Sequence, residues 1–158
     1  MDNFDKYIDK VLKHEGGYSN DPTDRGGETK YGISKRAYPS LDIKSLTKDR
    51  AKEIYKRDYW DKNKCHLLPE GVDYVHFDTA INMGGGRASK LLQEAAGVKV
   101  DGIVGPMTIA AAQEINPERY LLLRLNYYCQ IVRKRNSQAK YIGGWSNRIM
   151  DILKTLEL

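Results

Sequence analysis

His14-Glu15-Gly16-Gly17-Tyr18-Ser19-Asn20-Asp21-Pro22-Thr23-Asp24-Arg25-Gly26-Gly27-Glu28-Thr29-Lys30-Tyr31-Gly32-Ile33-Ser34 is the stretch where an otherwise helical chain stops being helical. Before it, Phe4, Tyr7, Ile8, Val11 and Leu12 recur at three- and four-residue intervals, which predicts an amphipathic helix ending near Glu15. Gly16-Gly17 stops that helix. From Tyr18 to Ser34 no helical period survives, and Asp21-Pro22 and Gly26-Gly27 punctuate a turn-rich segment or small hairpin.

Helical patterns return afterwards. Thr47 can cap a helix over Lys48 to Trp60, with Asp49 in its first turn. Val72 to Met83 is apolar enough for a core helix and ends at Gly84-Gly85-Gly86, with Ala88 to Ala95 as a short helix beyond. Pro106 suits the first residue of a helix through Ile115, and Asn116-Pro117 supplies a cap and first-turn proline for a long one. Gly143-Gly144 reads as a break before a last helix, Ser146 to Leu156. The pattern predicts an α+β protein, predominantly helical, with one small β-hairpin or irregular lobe after the first helix. A soft boundary falls at Gly84 to Gly86, giving regions 1–86 and 87–158 within a single compact unit.

The chain has 158 residues, enough for one well-buried core. Twenty-six basic against 21 acidic residues leave a net charge of +5, which favours an anionic partner. The basic residues are scattered in short groups such as Lys35-Arg36 and Arg133 to Arg135, without the long basic run or zinc-finger spacing of a nucleic-acid binder. Cys65 and Cys129 read as free, buried thiols. Met1 to Tyr7 lacks the apolar core of a signal peptide, and Tyr120 to Val132, broken by Arg124, is too short to span a bilayer.

Glu15 is the leading chemical candidate. It sits where a helix meets two glycines whose missing side chains let backbone or substrate approach closely. The bland alternative is a solvated carboxylate in a last turn, where it opposes the helix dipole slightly. Half burial at such a boundary can raise one carboxyl's pKa while a neighbour stays ionised, the pairing that glycosidic-bond hydrolysis needs. Asp24, nine residues on, is the natural partner, with Asp21 and Glu28 in competition. Thr29 can help hold a water, although from the residues alone a plain β-branched strand residue is the stronger reading.

Other hydrolase chemistries fail on spacing. His14-Glu15 opens like a zinc-binding His-Glu-x-x-His, but Tyr18 stands where the second histidine belongs, so no metal is expected. No Gly-x-Ser-x-Gly occurs. Among 11 tyrosines and two tryptophans, Tyr18, Tyr31, Trp60 and Trp145 are candidate rings for holding a sugar, with core anchoring the alternative for both tryptophans. Asn82, close to Gly84, can present its amide to a cleft or serve the end of its helix.

Glu15-Gly16-Gly17-Tyr18, Asn20-Asp21-Pro22, Asp24-Arg25-Gly26-Gly27-Glu28-Thr29 and Tyr31-Gly32-Ile33-Ser34 together resemble the signature of glycoside hydrolase family 108, bacterial and phage N-acetylmuramidases of lysozyme-like fold. Asp101-Gly102-Ile103-Val104-Gly105-Pro106-Met107-Thr108 and Gly143-Gly144-Trp145-Ser146-Asn147-Arg148 resemble that family's C-terminal region, a predicted peptidoglycan-binding module over 87–158. The resemblance implies a muramidase that needs no cofactor, with Glu15 as general acid and, by likeness to phage lysozymes, Asp24 and Thr29 as its partners. Thr29 lies one residue closer to Glu15 than in the phage enzymes. The same likeness implies inversion at the anomeric carbon, and the basic charge suits anionic peptidoglycan. It further implies a monomer made in the cytoplasm and acting at the wall or in the periplasm, as a phage endolysin released through a holin or a secretion-associated muramidase. The competing class is a noncatalytic wall-binding or secretion scaffold of the same fold.

Overall fold

A computed structural model describes residues 3–20 and 27–158; Asp21, Asp24 and their neighbours in 21–26 lie outside the described residues. The fold is α+β and lysozyme-like: helices predominate, and one small antiparallel hairpin follows the first helix. The chain forms two compact units, residues 1–61 and 62–158.

In the first unit, helix α1 (Phe4–Glu15) buries the predicted face of Phe4, Tyr7, Ile8, Val11 and Leu12. Gly16, at φ +80°, ends it. The chain then returns to pair Ser19 with Thr29 through two backbone hydrogen bonds of 2.8 Å. Strands β1 (Thr29–Lys30) and β2 (Ile33–Ser34) pair antiparallel, Thr29 opposite Ser34 and Lys30 opposite Ile33. Helix α2 (Lys48–Tyr55) starts at the expected cap: Thr47 Oγ1 accepts from the Arg50 amide at 3.2 Å.

The predicted α-helix over Lys48 to Trp60 is corrected here. It stays α-helical only to Tyr55 and continues as a π-helical turn, Lys56–Asp61. The wider turn accommodates an extra residue and re-aims the side chains that follow. Trp60 is thereby fully buried, its ring edge-on to Phe4 at 5.7 Å.

In the second unit, α3 (Val72–Met83) has the predicted bounds, and Val72 through Ala80 are all buried. An all-round buried helix is a central one, and α3 packs against α4 (Gly85–Ala96) and α6 (Pro117–Lys134). α5 (Pro106–Ala112) packs on α4, and α7 (Ile142–Leu156) on α6. Asn116 caps α6 as expected, its Oδ1 accepting from the Glu118 amide at 2.8 Å.

Two glycine breaks are corrected. Only Gly84, at φ +84°, interrupts the chain; Gly85 and Gly86 belong to α4, and Gly85 leaves room for the Asn63 side chain where a Cβ would collide. Gly143 and Gly144 lie inside the first turn of α7, and the true break is at Arg135 and the 3₁₀ turn Asn136–Tyr141. Helical glycine costs only about 1 kcal/mol relative to alanine, so packing overrides it. Cys65 is buried as expected, whereas Cys129 is half-buried; both are free thiols.

Candidate active site

The hairpin turn shapes the site of the first unit. Tyr31 and Gly32 occupy its two central positions with φ +52° and +74°, the sign pattern of a type I′ turn whose twist matches the flanking strands. Left-handed backbone is unfavourable for tyrosine, and the buried Tyr55 hydroxyl steadies it by donating to the Tyr31 carbonyl at 2.9 Å. The turn is thus held against α2 while Glu15 sits at the last position of α1.

Gly32 is where these elements converge. A Cβ there would stand 2.8 Å from Glu15 Oε2 and 2.5 Å from the Tyr55 hydroxyl oxygen. The half-buried Glu15 carboxyl therefore occupies space that only glycine leaves open. The π-helical turn adds Tyr59, whose ring tilts against Tyr55 at 5.2 Å. Burial, then the negative charges of Asp58 and Glu15, hold the Tyr59 hydroxyl above its ordinary pKa. Tyr59 is consequently a protonated hydroxyl within electrostatic reach of Glu15 at neutral pH.

Thr29 is half-buried near the start of this hairpin and spends its proton on the Gly27 carbonyl at 3.1 Å, leaving the hydroxyl oxygen's lone pairs to accept. Tyr18 is 45% exposed and donates to Glu28 Oε1 at 2.8 Å, so Glu28, a rival to Asp24, is occupied by a tyrosine. Tyr31 is half-buried with the Lys30 ammonium 5.7 Å from its ring. Trp60 has no exposed surface on which a sugar could stack, so the expectation that it contacts substrate is not met. Asp24 lies outside the described residues, and its distance to Glu15 with it.

Asn82 and Trp145 belong to the second unit and line one cavity there, with Tyr128 between them in the interaction chain. Tyr128 stacks on Trp145 at 4.5 Å and donates its hydroxyl proton to Asn82 Oδ1. Sequence reasoning passed over Gly32 and Tyr55. The signals were present: Tyr55 and Tyr59 share one face at i, i+4 spacing, and Tyr31-Gly32 sits between two short alternating segments. Among the described residues, no three His, Cys, Asp or Glu side chains form a metal-sized cluster. No described helix is long and apolar enough to cross a membrane.

Known proteins resemble this chain over nearly its whole length. A family model described as glycosyl hydrolase 108 matches residues 8–84, and one described as a predicted peptidoglycan domain matches 87–150. The solved structure of Brucella abortus SagA is 32% identical and superposes with a TM-score of 0.81, covering 98% of this chain and 94% of that one. No curated protein matches the sequence.

Proposed function

We propose a catalytic assignment for this chain, which belongs to the glycosyl hydrolase 108 family and is a muramidase-type glycosidase: Glu15 is the general acid that cleaves peptidoglycan. The bond broken is the β-1,4 link from N-acetylmuramic acid to N-acetylglucosamine. The observation that carries the assignment is the Glu15 carboxyl resting over the side-chain-free Gly32 beside Tyr55. A proton donor needs to be fixed within hydrogen-bond reach of the leaving oxygen, and a rigid turn beneath it supplies that constraint.

In this reading, Glu15 gives its proton to the departing glycosidic oxygen. Asp24 stays ionised, stabilises positive charge on the sugar ring and, with the acceptor lone pairs of Thr29, aligns a water on the opposite face. That water's attack inverts the anomeric carbon and requires carboxyl groups about 6.5–9.5 Å apart; direct attack by Asp24 would require about 5–5.5 Å. Tyr18 and Tyr31 are aromatic side chains of this unit that a sugar can meet. The protein acts at the cell wall as a monomer, and the reaction draws on no metal or cofactor.

The test is digestion of purified peptidoglycan by wild type and Glu15→Gln, with mass spectrometry of the fragments before reduction. The expected outcome is fragments ending in reducing N-acetylmuramic acid from wild type alone. Early proton NMR of the wild-type reaction should show the α-anomer first; the β-anomer first would establish retention. Sedimentation with the wall but no new reducing ends, in both proteins, would move the chain to a noncatalytic wall-binding role.

A further inference from the structure

The cavity of the second unit has a volume of about 600 Å³ and lies among the C-terminal end of α3, the first turns of α4 and α7, and α6. Its cations are Arg87 and Lys90, three residues apart on α4 and so on one face. Neither forms an ion pair with a carboxylate among the described residues. Arg87 sits over Tyr127, its guanidinium carbon 4.3 Å from the ring centroid, and Lys90 is exposed. The one acid in the lining, Asp101, is committed to the protein: its Oδ1 accepts from Gln93 Nε2 at 2.8 Å and from the Ile103 amide at 2.9 Å. Two cations thus face one tethered carboxylate.

A buried relay sets the remaining polar group. Asp78 pairs with Arg124 at 2.7 Å, and Arg124 Nε donates to the Tyr128 hydroxyl at 3.0 Å. That hydroxyl, already accepting, must send its own proton to Asn82 Oδ1. The Asn82 amide is therefore oriented from inside the protein, with its NH₂ left as the donating end at the cavity. Stacked Tyr128 and Trp145 supply a rigid aromatic wall. Donors of both charged and neutral kinds beside aromatic rings fit an anionic group carried on a sugar-sized, partly apolar body.

We propose that this cavity is a second binding site, taking the carboxylate-bearing peptide stem of a peptidoglycan strand through Arg87, Lys90 and the Asn82 amide. The identity of the polymer rests on the muramidase assignment above; the residues that line the cavity all belong to the second unit. It gives the region matched by the predicted peptidoglycan domain a specific pocket and a chemical preference: the acidic stem rather than the bare glycan.

The chain's two tryptophans make the test direct, because Trp60 is fully buried in the other unit and Trp145 lines the cavity. Full-length protein is titrated with a purified disaccharide-peptide, following tryptophan emission. The expected result is a saturable emission change that disappears in Trp145→Phe. Arg87→Gln/Lys90→Gln, checked for retained fold by circular dichroism, should weaken binding roughly fivefold or more, as should amidation of the peptide carboxylates. Lys90→Gln alone, at an exposed position, should weaken it in the same direction. An unaltered affinity in both variants overturns the proposal, as does a silent emission. Inorganic phosphate displacing the ligand at equal concentration also overturns it, leaving a general anion site. Release of reducing ends is measured on the same protein: cleavage without the emission change sinks only the cavity, and the emission change without cleavage sinks only the muramidase assignment.

Discussion

In the first unit Asp9 lies half in water between Lys48 at 2.6 Å and Lys52 at 3.1 Å; in the second, Asp78 is sealed from solvent between Arg124 and Arg148. The residue types are nearly the same, and the consequences are opposite. Water screens the Asp9 cluster, so little of its attraction survives as stability. Around Asp78, burial pushes the carboxyl's pKa up, and the two arginines more than reverse that and hold it below its ordinary range. The first unit thus carries adaptable, solvated ionic chemistry, and the second carries rigid ionic chemistry that leads through Tyr128 to the cavity.

The largest test of this contrast is Arg124→Met. It strands Asp78 with one partner and should lower the unfolding free energy in urea by about 3–5 kcal/mol. Adding Asp78→Leu and Arg148→Leu to it should recover part of the loss, because no buried charge of this cluster then remains. A single change costing no more than a surface substitution would erase the distinction between the units.

Next comes acid. His76 is buried on α3 with its Nδ1 2.8 Å from the Tyr120 hydroxyl, and burial lowers its pKa from 6.5 to about 4. The unfolded chain takes up this proton near pH 6.5, but the folded one only near pH 4. The neutral-histidine contribution is thus intact above pH 6.5 and is lost as pH falls through that window, amounting to ~3 kcal/mol at about 1.4 kcal/mol per unit. The Asp78 contribution has the same sign but is lost at lower pH, below the ordinary carboxylate value of 3.8. Urea titrations from pH 7 to 4 should show the His76 slope, and His76→Gln should flatten it.

Gly32→Ala moves the test to the first unit. Its φ of +74° strains any side chain by about 1–2 kcal/mol. The new methyl would also displace Glu15 or Tyr55, so release of reducing ends should fall roughly a hundredfold while the stability loss stays modest. Comparable losses in activity and folded fraction would mean that the turn is merely structural. Smallest of all, Asp9→Asn should leave the urea midpoint where it was.

Local signals carried much of the fold. The apolar face of α1, the Thr47 and Asn116 caps and the bounds of α3 depend on side-chain chemistry within a few residues, so spacing reveals them. Gly85, Gly86, Gly143 and Gly144 were misleading because a glycine's tolerance of a turn does not require one. The π-helical turn after Tyr55 left no local trace, and it buries Trp60. At the site, Glu15 stood out by its two glycines. Gly32 and Tyr55 did not, since their importance lies in meeting Glu15 across the hairpin and α2.

The order of local structures, the place where the helix gives way to a hairpin, and the carboxyl at that junction were determined by the sequence alone, because helix periodicity, caps and glycine signals act over one or two turns. Tertiary structure alone decided which ionic groups are buried. Arg124 looked like a polar interruption in an apolar stretch, yet it is fully buried against Asp78, 46 residues away. Whether a charge stabilises the fold, orients an amide or simply faces water depends on dielectric and partners, and these exist only once distant segments have packed.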